Sequence, residues 1–157
     1  MAVLLSDIPP KKTVEAEITL KRVLVVDDSP TILHAVCSLL EHHQIVNVVG
    51  RSENASDAID AIQLLKPDLL LMDADMPGMS GLRASLVMSQ LYPAVAIVLM
   101  SMEKERKFIQ ACHDCGARAV IYKPKFLKEL DEFLKSEETD IMKPIALKNA
   151  AKASRPV

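Results

Sequence analysis

Polar side chains stand where short apolar runs stop: Asp27 and Asp28 after Arg22 to Val26, Asp73 after Leu69 to Met72, Ser101 after Val95 to Met100, and Lys123 after Arg118 to Tyr122. Runs of this kind read as strands buried on both faces of a parallel sheet. Open α/β sheets place their chemistry at the carboxyl ends of such strands. Carboxylates converging there repel one another and call for a hard, oxygen-seeking cation. Mg²⁺ fits, because it takes one or two carboxylates, keeps its waters and favours a phosphate oxygen. A hydroxyl and an ammonium opposite the acids then serve as donors to a phosphoryl group. The residues by themselves imply an acidic pocket with a divalent metal, in which one carboxylate handles phosphate. Asp73 is that carboxylate, since Met76-Pro77-Gly78 forces a tight turn close behind it.

The surrounding pattern supplies the elements that must hold these groups. Ser29-Pro30 is a helix start, with apolar positions Ile32, Leu33, Val36, Leu39 and Leu40 at helical spacing to about His43. Ile45 to Val49 reads as a strand, and Asn54 caps a helix running to Lys66, stopped by Pro67. After the central strand, residues 68–73, come a helix over Leu82 to Leu91 and a strand over Val95 to Met100. A helix over Glu103 to Cys115 with Gly116 as its cap follows, then a strand over Arg118 to Tyr122 and a helix from Phe126 to about Ser136. Five β-α units predict a doubly wound α/β fold with a five-stranded parallel sheet. Right-handed crossovers favour the flavodoxin-like strand order 2-1-3-4-5.

The chain has 157 residues and a net charge of −2, half of them hydrophobic with few aromatics, which predicts an aliphatic, Met-rich core. Near-neutral charge makes no case for nucleic acid, and no apolar run reaches the ~20 residues of a membrane span. An odd number of cysteines suits a reducing interior, so a cytoplasmic location is expected. Residues 1–20 are expected to form a partly extended N-terminal arm, alternating between Thr13 and Leu20. Residues 21–138 form the domain, and 139–157 form a disordered tail too short for a DNA-binding effector.

Taken in order, Asp27-Asp28, Asp73 with Met76-Pro77 and Gly81, Ser101, Gly116-Ala117 and Lys123-Pro124 resemble the receiver domain of two-component response regulators over about residues 21–136. The resemblance implies a stand-alone phosphoprotein of phosphorelay signal transduction, not an enzyme beyond its own phosphorylation and dephosphorylation. Asp73 is then the phosphoacceptor, supplied by a histidine kinase or phosphotransfer protein. Asp28 ligates Mg²⁺ directly, with Mn²⁺ able to replace it, Asp27 does so largely through water, and the backbone carbonyl of Asp75 adds a ligand. Ser101 and Lys123 contact the phosphoryl oxygens and reposition on modification. Ile32 and Ala35 match positions that contact the kinase, and an unidentified downstream protein reads the signal. A homodimer through the arm or the last helix is a further expectation.

The sequence also departs from the family pattern. The aromatic switch position, three before the conserved lysine, is Val120; Tyr122 lies two further along on the same strand face and is a partial stand-in at most. Met102 occupies a usually small position flanking the phosphoryl group and would hinder small donors or water, while Asp75 adds negative charge there. These departures support an alternative, a receiver-fold scaffold or adaptor that works without phosphate. Asp73-Ala74-Asp75 also resembles the nucleophile motif of haloacid-dehalogenase-type phosphatases, but that motif belongs on a first strand, and here another acid-tipped strand precedes it. Cys112 and Cys115 read as packed residues under the last turn of a helix, and His34, His42 and His43 as solvated surface.

Overall fold

The chain folds as five successive β-α units: β1 (Lys21–Val26), α1 (Pro30–Glu41), β2 (Val46–Ser52), α2 (Ala55–Leu65), β3 (Leu69–Asp73), α3 (Gly81–Leu91), β4 (Ala96–Ser101), α4 (Arg106–Asp114), β5 (Ala119–Tyr122) and α5 (Phe126–Ile141). This computed structural model describes residues 20–141, so the expected N-terminal arm and the tail after residue 141 lie outside the described residues. All strand pairs are parallel, in the order β2-β1-β3-β4-β5. That is the flavodoxin-like arrangement the pattern predicts.

Local signals start the helices. The Ser29 hydroxyl accepts from the Ile32 N–H and Pro30 takes the first helical position, where a missing donor costs nothing. Asn54 accepts from the Asp57 N–H at 2.8 Å, and Ser80 from the Arg83 N–H at 3.3 Å. Such caps contribute about 1 kcal/mol each. At the end of α4 the chain reverses through Gly116 at φ 89°, a conformation that side-chain-bearing residues resist.

The sheet is buried on both faces, which is why its central strands read as unbroken apolar runs. Val23, Val25, Leu69, Leu71, Val98 and Met100 face α1 and α5, meeting Leu33, Val36, Leu40, Leu130 and Leu134. The alternate residues Leu24, Val26, Leu70, Met72, Ile97 and Leu99 face the other three helices, meeting Ile62, Met88 and Cys112. Each fully buried aliphatic side chain of this kind contributes about 1.5–3 kcal/mol. The sheet is therefore a stiff platform, and its carboxyl edge inherits that stiffness.

The structure alters several expected boundaries. β2 continues to Ser52 because a register shift opposite Val23 and Leu24 inserts Val49 and flips the side-chain phase. Gly50 then lies under Leu65 and Leu24. α4 begins at Arg106 rather than Glu103, since the Glu103 N–H is taken by the Ser101 hydroxyl at 2.9 Å in a side-chain-closed turn. α5 continues past Ser136 to Ile141. His43 is not a solvated surface residue: its side chain is 16% exposed and its Nε2 lies 2.7 Å from Asp131 of α5.

Candidate functional site

The register of the strands sets the acids side by side. Val26 pairs with Met72, so Asp27 and Asp73, each one residue further on, leave neighbouring strands at the same level. Asp73 pairs with Met100, and Ser101 pairs with Tyr122, which brings Lys123 to the next level beyond. Carboxylate oxygens of Asp27, Asp28 and Asp73 lie within 4.8 Å of one another. Asp27 and Asp73 are buried, and Asp28 is exposed at the rim.

Lys123 reaches across from the 3₁₀ turn Lys123–Lys125 that follows β5. Its ammonium donates to Asp27 Oδ2 at 2.9 Å and lies 3.0 Å from Asp73 Oδ1. Burial by itself would lower the lysine pKa. The hydrogen bonds with Asp27 and then Asp73, reinforced by their charges, outweigh it and hold the pKa above the usual lysine value. One ammonium against three carboxylates still leaves the cluster with an excess of negative charge. A hard divalent cation suits that donor set.

The other site residues have defined places. Asp27 Oδ1 accepts from the Ser29 N–H at 2.9 Å, a turn that holds the acid while α1 begins. Ser101 is fully buried, and its oxygen accepts from the Glu103 N–H. The hydroxyl hydrogen is thereby left to donate elsewhere. Asp75 is exposed in the turn after β3. It lies near enough to Cys112 to reinforce, after burial and the Cys115 charge, a thiol pKa pushed up to about 11. Gly81 permits the turn from β3 into α3: a Cβ there would collide with the Asp73 carbonyl oxygen and come within 2.7 Å of the Ala74 Cα.

Ile32 and Ala35 of α1 line an apolar groove together with Met102, which is 64% exposed. Val120 and Tyr122 share a second groove on the α4–β5–α5 side, lined also by Ile109, Lys104, Lys125 and Glu129. There the Lys104 ammonium sits 5.2 Å above the Tyr122 ring, and the Tyr122 N–H donates to Glu129 Oε2 at 2.7 Å. Sequence inspection missed Lys104, Glu129 and the Glu103 N–H. The Asp27 to Ser29 turn carries a sequence signal, an Asp two residues before a helix cap, but Glu129 carries none, because only tertiary packing brings it to β5.

The response regulator receiver domain model matches residues 23–135. The protein-glutamate methylesterase/protein-glutamine glutaminase of Bacillus subtilis is 32% identical over 137 residues, covering 87% of this chain and 38% of that protein. A Clostridium acetobutylicum protein of the same name is 30% identical over 113 residues, covering 71% of this chain and 33% of its own. The chain thus spans about a third of the length of these curated relatives, and the likeness stays within the receiver. Among solved structures, the receiver domain of Thermotoga maritima CheB superposes with a TM-score of 0.66 at 25% identity, covering 76% of this chain and 95% of that one. The isolated receiver domain of RcsB from Salmonella enterica serovar Typhimurium, solved with a phosphomimetic beryllofluoride, gives 0.69 at 23% identity, covering 77% and 90%. The chain belongs to the response regulator receiver domain family.

Proposed function

We propose that Asp73 accepts a phosphoryl group from a phosphohistidine of a histidine kinase or phosphotransfer protein, and that the chain signals from the cytoplasm by binding a downstream protein according to its phosphorylation state. The observation that carries this reading is the Asp73 carboxylate, buried on a rigid strand end, with the Lys123 ammonium at 3.0 Å and two further acids beside it. Phosphoryl transfer asks little covalent work of the protein, and positioning with charge neutralisation supplies most of its rate. An Asp73 oxygen attacks phosphorus in line with the departing nitrogen. Lys123, already hydrogen-bonded to Asp73, meets the charge on a phosphoryl oxygen. Ser101 has its hydroxyl hydrogen available to donate to another.

Asp27, Asp28 and Asp73 would hold Mg²⁺, with the Asp75 carbonyl added to the set, and the ion when bound supplies charge neutralisation at the phosphoryl oxygens. Ile32 and Ala35 offer the apolar surface for the phosphohistidine-bearing partner. Val120 supports the second reading, a scaffold that binds partners without phosphate, since a valine cannot act as an aromatic switch. Lys104 over the Tyr122 ring is the feature through which a phosphate-dependent change could still reach the α4–β5–α5 face.

Incubation with phosphoramidate and Mg²⁺, followed by intact mass measurement, tests the first reading. A single phosphoryl adduct on the wild type and none on Asp73→Asn is the expected result. No adduct from that donor, from monophosphoimidazole or from phosphorylated histidine proteins overturns it and leaves the scaffold.

A further inference from the structure

Three of the exposed large apolar side chains share one groove. Ile32 at 38%, Leu39 at 43% and Met102 at 64% exposure all line one groove of about 350 Å³, completed by Met100, Pro124 and Phe126. The polar end of this groove is Lys123, whose ammonium stands 3.0 Å from the Asp73 carboxylate. The two ends therefore differ in character. One meets a phosphoryl group with a positive charge, and the other presents thioether and hydrocarbon to whatever the phosphoryl group is attached to. Met102 directly follows the buried Ser101 and lines the same groove as Lys123.

With its phosphoryl group at Lys123 and Asp73, a donor has this apolar lining within the groove that Lys123 shares. An ammonia leaving group gains nothing from thioether or methylene. A planar heteroaromatic ring gains a sulfur–aromatic contact and burial of its faces. We propose that Met102 is a specificity residue that seats the imidazole ring of an N-phosphorylated histidine, selecting aromatic phosphoramidates over small ones. This rests on the assignment of Asp73 as phosphoacceptor. The transfer balances without a redox partner: the Asp73 oxygen forms the new P–O bond as the P–N bond breaks. The ring, protonated beforehand on its other nitrogen, leaves as neutral imidazole.

The two small donors monophosphoimidazole and phosphoramidate differ in this leaving group and make the test direct. Their kcat/KM values for adduct formation on Asp73 are measured with Mg²⁺ in the wild type, Met102→Ala and Met102→Leu. Leu91→Ala is the control, an exposed apolar side chain at the far end of α3. The ratio for monophosphoimidazole over phosphoramidate is expected to fall about fivefold in Met102→Ala, through the KM for monophosphoimidazole, and to be largely restored in Met102→Leu. A ratio within about twofold of wild type in Met102→Ala overturns the proposal, whether both rates rise together, as for a steric shield, or neither moves. If neither donor labels wild-type Asp73 while phosphorylated histidine proteins do, the inference alone falls; if those proteins fail as well, the phosphoacceptor assignment falls and the inference with it.

Discussion

The Lys123 ammonium lies 3.0 Å from an Asp73 carboxylate oxygen, although the two residues leave the sheet on strands separated by β4. The same ammonium donates to Asp27, so a single cation ties both buried acids. Replacing it by Lys123→Ala leaves the acids uncompensated and is expected to lower stability by about 3 kcal/mol in cation-free buffer. The variant should recover more stability from added Mg²⁺ than the wild type does, because the ion then meets a more negative cluster. Urea midpoints with and without Mg²⁺ check this, and equal gains in the two proteins would contradict it.

Gly81 is predicted to tolerate no side chain. Its place against the backbone of Asp73 and Ala74 means that Gly81→Ala must push α3 away from the acceptor strand. A loss of about 2–3 kcal/mol is expected from such overpacking against atoms that cannot yield. Slower labelling of Asp73 by phosphoramidate should accompany it. Denaturant unfolding and intact mass measure the two effects on the same preparation.

The three cysteines should behave differently from one another. Cys112 is fully buried with its thiol pKa pushed up to about 11, and burial also raises that of Cys37. At pH 8 a thiol-reactive chromophore should label Cys115, which is partly exposed, and reach the other two only in denaturant. The native state keeps the Cys112 proton where the unfolded chain loses it, from the ordinary value of 9.0 upward. The associated stability is thus complete below pH 9 and declines as pH rises toward 11, on the order of 2 kcal/mol in all. Cys112→Ala should flatten that decline, which pH-dependent urea titrations will reveal.

Ser85 on α3 is fully buried, and among the described residues its hydroxyl is a buried side-chain oxygen with no hydrogen-bond partner. Removing an unsatisfied buried hydroxyl recovers its desolvation cost. Ser85→Ala should therefore raise stability by about 1 kcal/mol. A lower unfolding midpoint for this variant would mean that the hydroxyl is satisfied in solution.

His43 and Asp131 tie the end of α1 to α5 through a 2.7 Å contact, with the histidine side chain largely enclosed and the aspartate half exposed. A double-mutant cycle with His43→Ala and Asp131→Ala should return a coupling of about 0.5–1 kcal/mol at neutral pH. A coupling near zero would make the contact incidental.

Much of this molecule is legible from neighbouring residues. Continuous apolar runs mark Val23 to Val26 and Leu69 to Met72 as strands because a parallel sheet buries both faces, and Ser29-Pro30 and Asn54 mark helix starts because their side chains cap backbone within three residues. The acids, the hydroxyl and the lysine are legible for the same reason, since each terminates such a run. The late start of α4 and the length of β2 were not. Both depend on which competing partner a backbone group finds: the Ser101 hydroxyl for the Glu103 N–H, and β1 across a register shift for β2.

The sequence by itself determined the β-α order and the chemical character of the strand ends, since caps, periodicity and run termini act over a few residues. Only the tertiary structure decided what those ends meet. The Lys123 to Asp27 hydrogen bond spans 96 residues of chain and the His43 to Asp131 contact spans 88. Lys104 over Tyr122 and the groove from Ile32 to Met102 likewise join separate elements. Such pairings follow from the packing of whole helices onto the sheet, a sum of many small burial terms that no short stretch of residues encodes.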